Sequence, residues 1–311
     1  MNKVFVWFEG EIHPASEARI PVLDRGFLFG ESVYETFRTY DGYPWLFLEH
    51  YDRLTQSTAA LYLPLARSAE ELWDACRSLA ERFDDEIYLR IMVTGGESDI
   101  VLEPEHERRP SVLIFAKPFE HYPRDYFEQG VAVAIVTTRR NPAFSLNPRI
   151  KSCNLLNNIF AYREAREQGA VEAIMLNYEG WVAEGASSNI FIVDQNGTLK
   201  TPHLDVGILE GVTRRFIFWL GQRFDISIEE AYLKREDILK AEECFITSSL
   251  KGVMPVATVD GQPIHDGRPG PITRQLMGWY DAMVMDYVER CRTLGGRPVR
   301  WLPERIPSNA P

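Results

Sequence analysis

Glu31-Ser32-Val33-Tyr34-Glu35-Thr36-Phe37-Arg38-Thr39-Tyr40-Asp41-Gly42 is the stretch whose pattern decides the first part of the fold. Val33, Glu35 and Phe37 alternate against Ser32, Tyr34 and Thr36, the two-residue period of a strand. Asp41-Gly42 supplies a hairpin turn into Trp45-Leu46-Phe47-Leu48. Upstream, Val4 to Phe8 reads as a strand. Downstream, Glu49 to Leu61 reads as a helix, and Ser68 caps a second helix running to Phe83, with Glu71 at the capping-box position. Strands follow at Ile87 to Val93 and Ser111 to Ala116, which makes the region an α+β unit.

Lys117-Pro118-Phe119-Glu120-His121-Tyr122-Pro123-Arg124 breaks the periodic pattern and reads as a linker. Beyond it come a strand at Val131 to Thr137, a helix from Leu155 to Gln168, a strand at Val171 to Leu176, and a segment Ala186 to Val193 closed by Asn196-Gly197. A helix from Val212, a strand near Ile226, a β-rich stretch from Cys244 to Val259 and a helix from Ile272 to Arg290 complete a larger mixed domain. The expected division is therefore a small domain over 1–117, a linker over 118–128, a large domain over 129–290 and a peripheral tail over 291–311 rich in Pro, Gly and Arg.

With 311 residues and a formal charge of -11, the chain has room for two domains and a surface that repels nucleic acid and anionic membranes. An anionic ligand must be met by local positive charge. The N-terminal apolar run is too short for a signal peptide, and no stretch approaches the roughly 18 apolar residues of a membrane helix. A cytoplasmic address is expected. Cys76, Cys153, Cys244 and Cys291 match neither a metal-ligand pattern nor a disulfide framework, so they are expected to be reduced and no metal is expected.

Two charged residues stand out by their surroundings. Lys151, in Asn147-Pro148-Arg149-Ile150-Lys151-Ser152-Cys153-Asn154, lies between a Pro-bearing loop and an apolar helix, where a long amine reaches an enclosed site as readily as solvent. Burial or nearby cations lower a lysine pKa and make its amine a nucleophile toward an aldehyde. Glu184, in Gly180-Trp181-Val182-Ala183-Glu184-Gly185-Ala186-Ser187-Ser188-Asn189, is either an exposed turn residue or a buried carboxylate that needs a cation.

Several ordered motifs resemble the class IV, or fold-type IV, pyridoxal-5'-phosphate (PLP) enzymes: branched-chain aminotransferases, D-amino acid aminotransferases and aminodeoxychorismate lyases. They are Asp24-Arg25-Gly26-Phe27-Leu28-Phe29-Gly30-Glu31-Ser32-Val33-Tyr34-Glu35-Thr36, Glu49-His50-Tyr51-Asp52-Arg53-Leu54, and the Lys151, Glu184 and Gly211 segments in family order. The resemblance implies a small N-terminal α/β domain and a larger mixed α/β pseudo-barrel domain, a homodimer, and PLP held by Lys151 as a Schiff base. It further implies Glu184 at the ring nitrogen and Arg53 at the phosphate. Arg53 taken alone suits equally a helix-surface pair with Glu49 or Asp52. Gly211, Val212 and Thr213 resemble the glycine-led helix start whose amides hold phosphate, and Ser248 and Ser249 of Thr247-Ser248-Ser249 resemble a second phosphate loop.

The implied reaction moves an amino group from an amino acid to a 2-oxo acid such as 2-oxoglutarate, with the lysine amine carrying a proton. Tyr88-Leu89-Arg90 and Val93-Thr94-Gly95-Gly96-Glu97-Ser98-Asp99-Ile100-Val101-Leu102-Glu103-Pro104 resemble branched-chain enzymes. Gly95, where the family commonly has arginine, and Leu155, where branched-chain enzymes often have tyrosine, depart from them; Leu155 and Ser187-Ser188-Asn189 resemble D-amino acid enzymes. Arg90 is the candidate for the substrate carboxylate, with a core-edge salt bridge as the alternative. Phe29, Tyr34, Thr36 and Arg38, read as alternating on one strand, together with Tyr88, are candidates to line the pocket. A D-amino acid aminotransferase, an aminodeoxychorismate lyase and a cofactor-binding protein without turnover stand as the other readings.

Overall fold

The computed structural model describes residues 3–102 and 109–303. Met1, Asn2, the Glu103-Pro104 end of the loop noted above and the tail beyond residue 303 lie outside the described residues. The chain packs as two compact units: Met1–His121 with Ile150–Asn154 and Val284–Trp301, and Tyr122–Arg149 with Leu155–Met283 and Leu302–Pro311.

The first unit is built from β1 (Phe5–Phe8), β2 (Glu11–Pro14), α1 (Arg25–Phe29), β3 (Ser32–Tyr40), β4 (Tyr43–Pro44), α2 (Phe47–Ala60), α3 (Ala69–Ala80), β5 (Ile87–Thr94) and β6 (Val112–Pro118). Its six strands form an antiparallel sheet in the order β2-β1-β6-β5-β3-β4. The alternation expected of β3 sets its geometry. Val33, Glu35, Phe37 and Thr39 are fully buried, and α2 turns Phe47, His50, Arg53, Leu54 and Ser57 to its buried side at helical spacing. Tyr34 and Thr36 are half-buried on the opposite face.

Several local expectations change. Trp45-Leu46-Phe47-Leu48 does not return as a strand: β4 ends at Pro44 and Phe47 opens α2. Trp45, Leu46 and Phe47 are all fully buried, so the run carries no periodicity to separate strand from helix. Phe29 is not on the strand with Tyr34, because Asp24 caps α1 by accepting from the Gly26 amide and Gly30 ends it in the left-handed region. Ser68 and Glu71 do form the capping box of α3, but that helix ends at Ala80 rather than Phe83.

The second unit holds α4 (Arg124–Glu128), β7 (Val131–Ile135), α5 (Leu156–Glu167), β8 (Glu172–Leu176), β9 (Val182–Gly185), β10 (Asn189–Val193), β11 (Leu199–Pro202), α6 (Val212–Arg223), β12 (Ile228–Ala231), α7 (Arg235–Leu239), β13 (Glu243–Ser248), β14 (Gly252–Val259), β15 (Gln262–Pro263) and the start of α8 (Pro271–Thr293). Its mixed sheet runs β12-β11-β10-β13-β14-β7-β8-β9, with β15 on β14, and curls so that β9 comes alongside β10. The two faces differ in residue size. Val131, Val133, Ile174 and Leu176 join the large aliphatic core of one face, whereas Ala134, Ala173 and Met175 meet Ala161 and Ala165 of α5 on the other. Small side chains there let the helix lie close to the sheet.

The stretch 118–128 is not a plain linker, since it holds the end of β6 and all of α4. The stretch from 291 is not peripheral within the described residues: Trp73 donates its indole N–H to Gly296 O at 2.8 Å, and the Trp301 amide donates to Glu49 at 2.7 Å. Ile150–Asn154 packs with the first unit rather than with the rest of 129–290.

Candidate active site

Lys151 is fixed through its backbone. Its carbonyl accepts from the Tyr34 amide at 2.9 Å and its amide donates to Ser57 Oγ at 3.2 Å, while the Cys153 amide donates to Ser32 O at 2.9 Å. The segment thus runs along β3 and is gripped by α2. Its Nζ stands 4.6 Å from the centre of the Tyr34 ring, and the Arg90 guanidinium lies 4.0 Å from the same ring. Thr36 is opposite Arg90, Arg38 opposite Tyr88, and Tyr34 opposite Met92, so these side chains share one sheet face.

Within that face the roles separate. Arg90 donates weakly to Cys153 Sγ at 3.7 Å, and its buried Nε has no hydrogen-bond partner among the described residues. An unpaired guanidinium N–H beside a lysine is matched to a carboxylate. Arg38 is engaged: its guanidinium lies 4.4 Å from the Tyr40 ring and 3.8 Å from Phe119, and its Nε donates to Thr39 O at 3.2 Å. Phe29 is half-buried on α1, where Arg25 lies 4.9 Å from its ring.

Arg53 pairs with Glu35 of β3. Its Nε and one Nη donate to the two oxygens of Glu35 at 2.7 and 2.8 Å, and His50 Nδ1 lies 2.6 Å from the same carboxylate. Asp52 instead takes Arg300. Burial alone raises the Glu35 pKa, but Arg53 and His50 outweigh it and hold the carboxyl far below the usual range. Burial pushes the His50 pKa down against the pull of Glu35, so the ring is neutral near pH 7 and donates from Nδ1 to an acceptor-only carboxylate.

In the second unit, Glu184 sits on β9 and is 5 % exposed, which excludes the exposed-turn reading. Its cation is Arg140, whose Nε donates to Oε1 at 2.7 Å; Oε2 accepts from Asn189 Nδ2 at 3.3 Å and from the Leu209 amide at 3.1 Å. Asn189 also donates to Leu209 O at 3.0 Å, and it pairs in register with Thr247. A Cβ on Gly211 would come within 2.0 Å of Asn189 Oδ1, so only glycine lets α6 begin this close.

Gly211 is the N-cap of α6, and the geometry of a helix start leaves the amides of Val212, Thr213 and Arg214 without intrahelical carbonyls. Thr213 Oγ1 and Thr247 Oγ1 are buried without a partner among the described residues, at 2 % and 1 % residue exposure. Ser248 ends β13 and its Oγ accepts from the Lys251 amide at 3.1 Å; Ser249 follows in the turn. A helix start without a side-chain cap and two unsatisfied hydroxyls fit an anionic phosphate.

Glu35, Arg140 and Lys251 escaped the sequence reading. Glu35 carried a usable signal, being a carboxylate in phase with Val33 and Phe37 on a buried strand face. Arg140 had none beyond its place in Arg139-Arg140, because its partner lies on a distant strand. Among the described residues no group of three or more His, Cys, Asp or Glu is placed to hold a metal, and no helix is long and apolar enough to cross a membrane.

Residues 32–259 match the class IV amino-transferase family, and the chain belongs to that family. A putative branched-chain-amino-acid aminotransferase of Methanocaldococcus jannaschii is 35% identical over 272 residues, covering 87% of this chain and 93% of the relative. A D-alanine aminotransferase of Staphylococcus haemolyticus is also 35% identical, over 288 residues, covering 91% and 98%. A branched-chain amino acid aminotransferase of T.th., solved with pyridoxamine 5'-phosphate, superposes with a TM-score of 0.85 at 27% identity and covers 96% of each chain. The fold is that of fold-type IV enzymes, and the activity is that of a PLP-dependent aminotransferase.

Proposed function

We propose that this chain transfers the amino group of branched-chain L-amino acids to a 2-oxo acid, 2-oxoglutarate being the acceptor, with PLP held through Lys151. The observation that carries the reading is the shared Tyr34 ring: an amine and an under-used guanidinium converge on it from Lys151 and Arg90. Arg90 takes the substrate carboxylate. Met92 and Phe115, on the same face opposite Tyr34 and Arg90, supply apolar surface for an aliphatic side chain.

Bound PLP supplies an aldehyde that exchanges amino groups and a ring that accepts the electron pair of the substrate α-carbon. The Lys151 amine would hold the cofactor and, when free, would take the proton from the substrate α-carbon. Glu184 would hold a proton at the ring nitrogen, and Arg140, Asn189 and the Leu209 amide keep its carboxylate in place. Thr213, the first amides of α6 and the Thr247–Ser249 segment would hold the phosphate, and the family resemblance gives Arg53, whose guanidinium plane Glu35 fixes, a phosphate-binding role as well. Tyr34, Thr36, Tyr88, Arg38 and Phe29 shape the substrate side.

In this reading residues 1–117 and 129–290 act as a small and a large cofactor-binding domain, apart from the lysine segment. The enzyme works as a cytoplasmic homodimer. The exposed apolar side chains of Leu156, Ile159 and Phe160 on α5 support burial against a second copy, and the four free cysteines suit a reducing compartment. A D-amino acid substrate is the second reading, favoured by the Staphylococcus relative and by Leu155. Rapid mixing of the PLP form with L-leucine or D-alanine, following loss of the lysine-linked cofactor's visible band, separates them. Reaction with L-leucine alone is expected; reaction with D-alanine alone overturns the substrate assignment.

A further inference from the structure

The sheet parity that buries Ile174 and Leu176 in the aliphatic core of the second unit also buries Glu172, which is 0 % exposed. An ionised carboxylate in such a place requires a cation and further donors. Lys251 supplies the cation: its side chain is 11 % exposed, and its Nζ lies 3.1 Å from Glu172 Oε2 and 2.6 Å from Ser187 Oγ. Ser187 and Ser188 add their hydroxyls to the same carboxylate oxygen at 2.6 and 3.1 Å. Burial lowers the Lys251 pKa, but Glu172 more than restores it, so the net shift is upward and favours the charged ammonium.

None of these four residues has a part in the chemistry above, yet the cluster grips a segment that does. Lys251 sits in the turn between β13 and β14, two residues after Ser249 of Thr247-Ser248-Ser249, and its own amide donates to Ser248 Oγ. Gly252, with φ of 63°, then turns the chain back into β14, a conformation open to glycine and strained for other residues. The far end of the grip is β8 and the Ser187-Ser188 segment, which leads straight into Asn189, the residue that bonds Glu184 and pairs with Thr247.

We propose that Lys251 is a positioning residue: its buried ion pair with Glu172 draws the β13–β14 turn against β8 and sets Thr247, Ser248 and Ser249 in the geometry that receives the cofactor's phosphate. The proposal rests on the reading of that turn as a phosphate-holding segment. It predicts an effect confined to the phosphate end of the cofactor.

The test titrates full-length apoprotein with PLP and, separately, with pyridoxal, which has the same ring and aldehyde and no phosphate. Lys251→Met is expected to weaken PLP binding by about tenfold or more while changing pyridoxal binding by less than about twofold, and Lys251→Arg is expected to recover most of the loss. If the single variant fails to fold because Glu172 is left unpaired, Lys251→Met/Glu172→Leu removes both charges, restores an apolar contact and is expected to show the same selective loss. Equal weakening of PLP and pyridoxal, or unchanged PLP binding in the folded double variant, overturns the clamp. Thr213→Val tests the underlying reading by itself. If Thr213→Val loses PLP selectivity and the Lys251 variants do not, only the clamp falls; if neither loses it, the phosphate site itself is misassigned.

Discussion

The charge cluster of Glu35, His50 and Arg53 and the donor cluster around Gly211, Thr213 and Thr247 are both buried and polar, but they are finished to different degrees. In the first, each Glu35 oxygen meets a donor at hydrogen-bond distance and each charge has its opposite. In the second, two buried threonine hydroxyls have no partner among the described residues, and the start of α6 has no side-chain cap. A closed network stabilises the fold that contains it, whereas unsatisfied donors cost stability until a ligand accepts from them. The contrast separates charges that the fold already pairs from donors that it leaves for a ligand.

The largest effect is expected at the closed cluster. Glu35→Ala leaves Arg53 buried without its counter-charge and is predicted to destabilise the protein by about 3–5 kcal/mol in denaturant unfolding. A loss under about 1 kcal/mol would show that Arg53 finds another anion and that the network is not closed. Acid gives a graded version of the same experiment. The folded-state pKa of Glu35 is depressed, so its contribution is full above the ordinary glutamate range and is lost as pH falls below about 4. His50 is also depressed, so the unfolded chain takes up its proton first, and stability begins to fall below about pH 6.5. Thermal melts are expected to drop in two stages on acidification, and His50→Gln to remove the upper one.

At the open cluster the sign reverses. Thr247→Val replaces an unpaired buried hydroxyl with a methyl group and is predicted to leave apoprotein stability unchanged or raised by up to about 1 kcal/mol, while PLP affinity falls about fivefold to tenfold. Marked destabilisation of the apoprotein would mean that the hydroxyl already has a structural partner.

How far the sequence displayed these regions follows from the range of the forces involved. The alternation along β3 and the Ser68–Glu71 box are local, and both stand in the structure as expected. Runs in which every residue is buried, such as Trp45 to Phe47, lack the contrast that distinguishes helix from strand. β2 and β9, four residues each, are too short to show a period and lack the apolar run that marks β1. The ion partners Arg140 and Glu184, or Glu172 and Lys251, are joined only by the curl of the sheet, which no local pattern encodes. A usable signal did exist at Glu35 and Glu172: a carboxylate in phase with the aliphatic residues of its strand announces a buried cation somewhere else.

Lys151 carries the central claim, and Lys251, also half-buried and also near a proposed cofactor contact, is its natural competitor. Borohydride reduction of the PLP-loaded protein, followed by proteolysis and mass spectrometry, fixes the cofactor to whichever lysine holds it. The predicted result is a single phosphopyridoxyl adduct on the peptide containing Lys151, absent in Lys151→Ala. An adduct on Lys251 or another lysine, with the Lys151 peptide unmodified, would contradict the assignment.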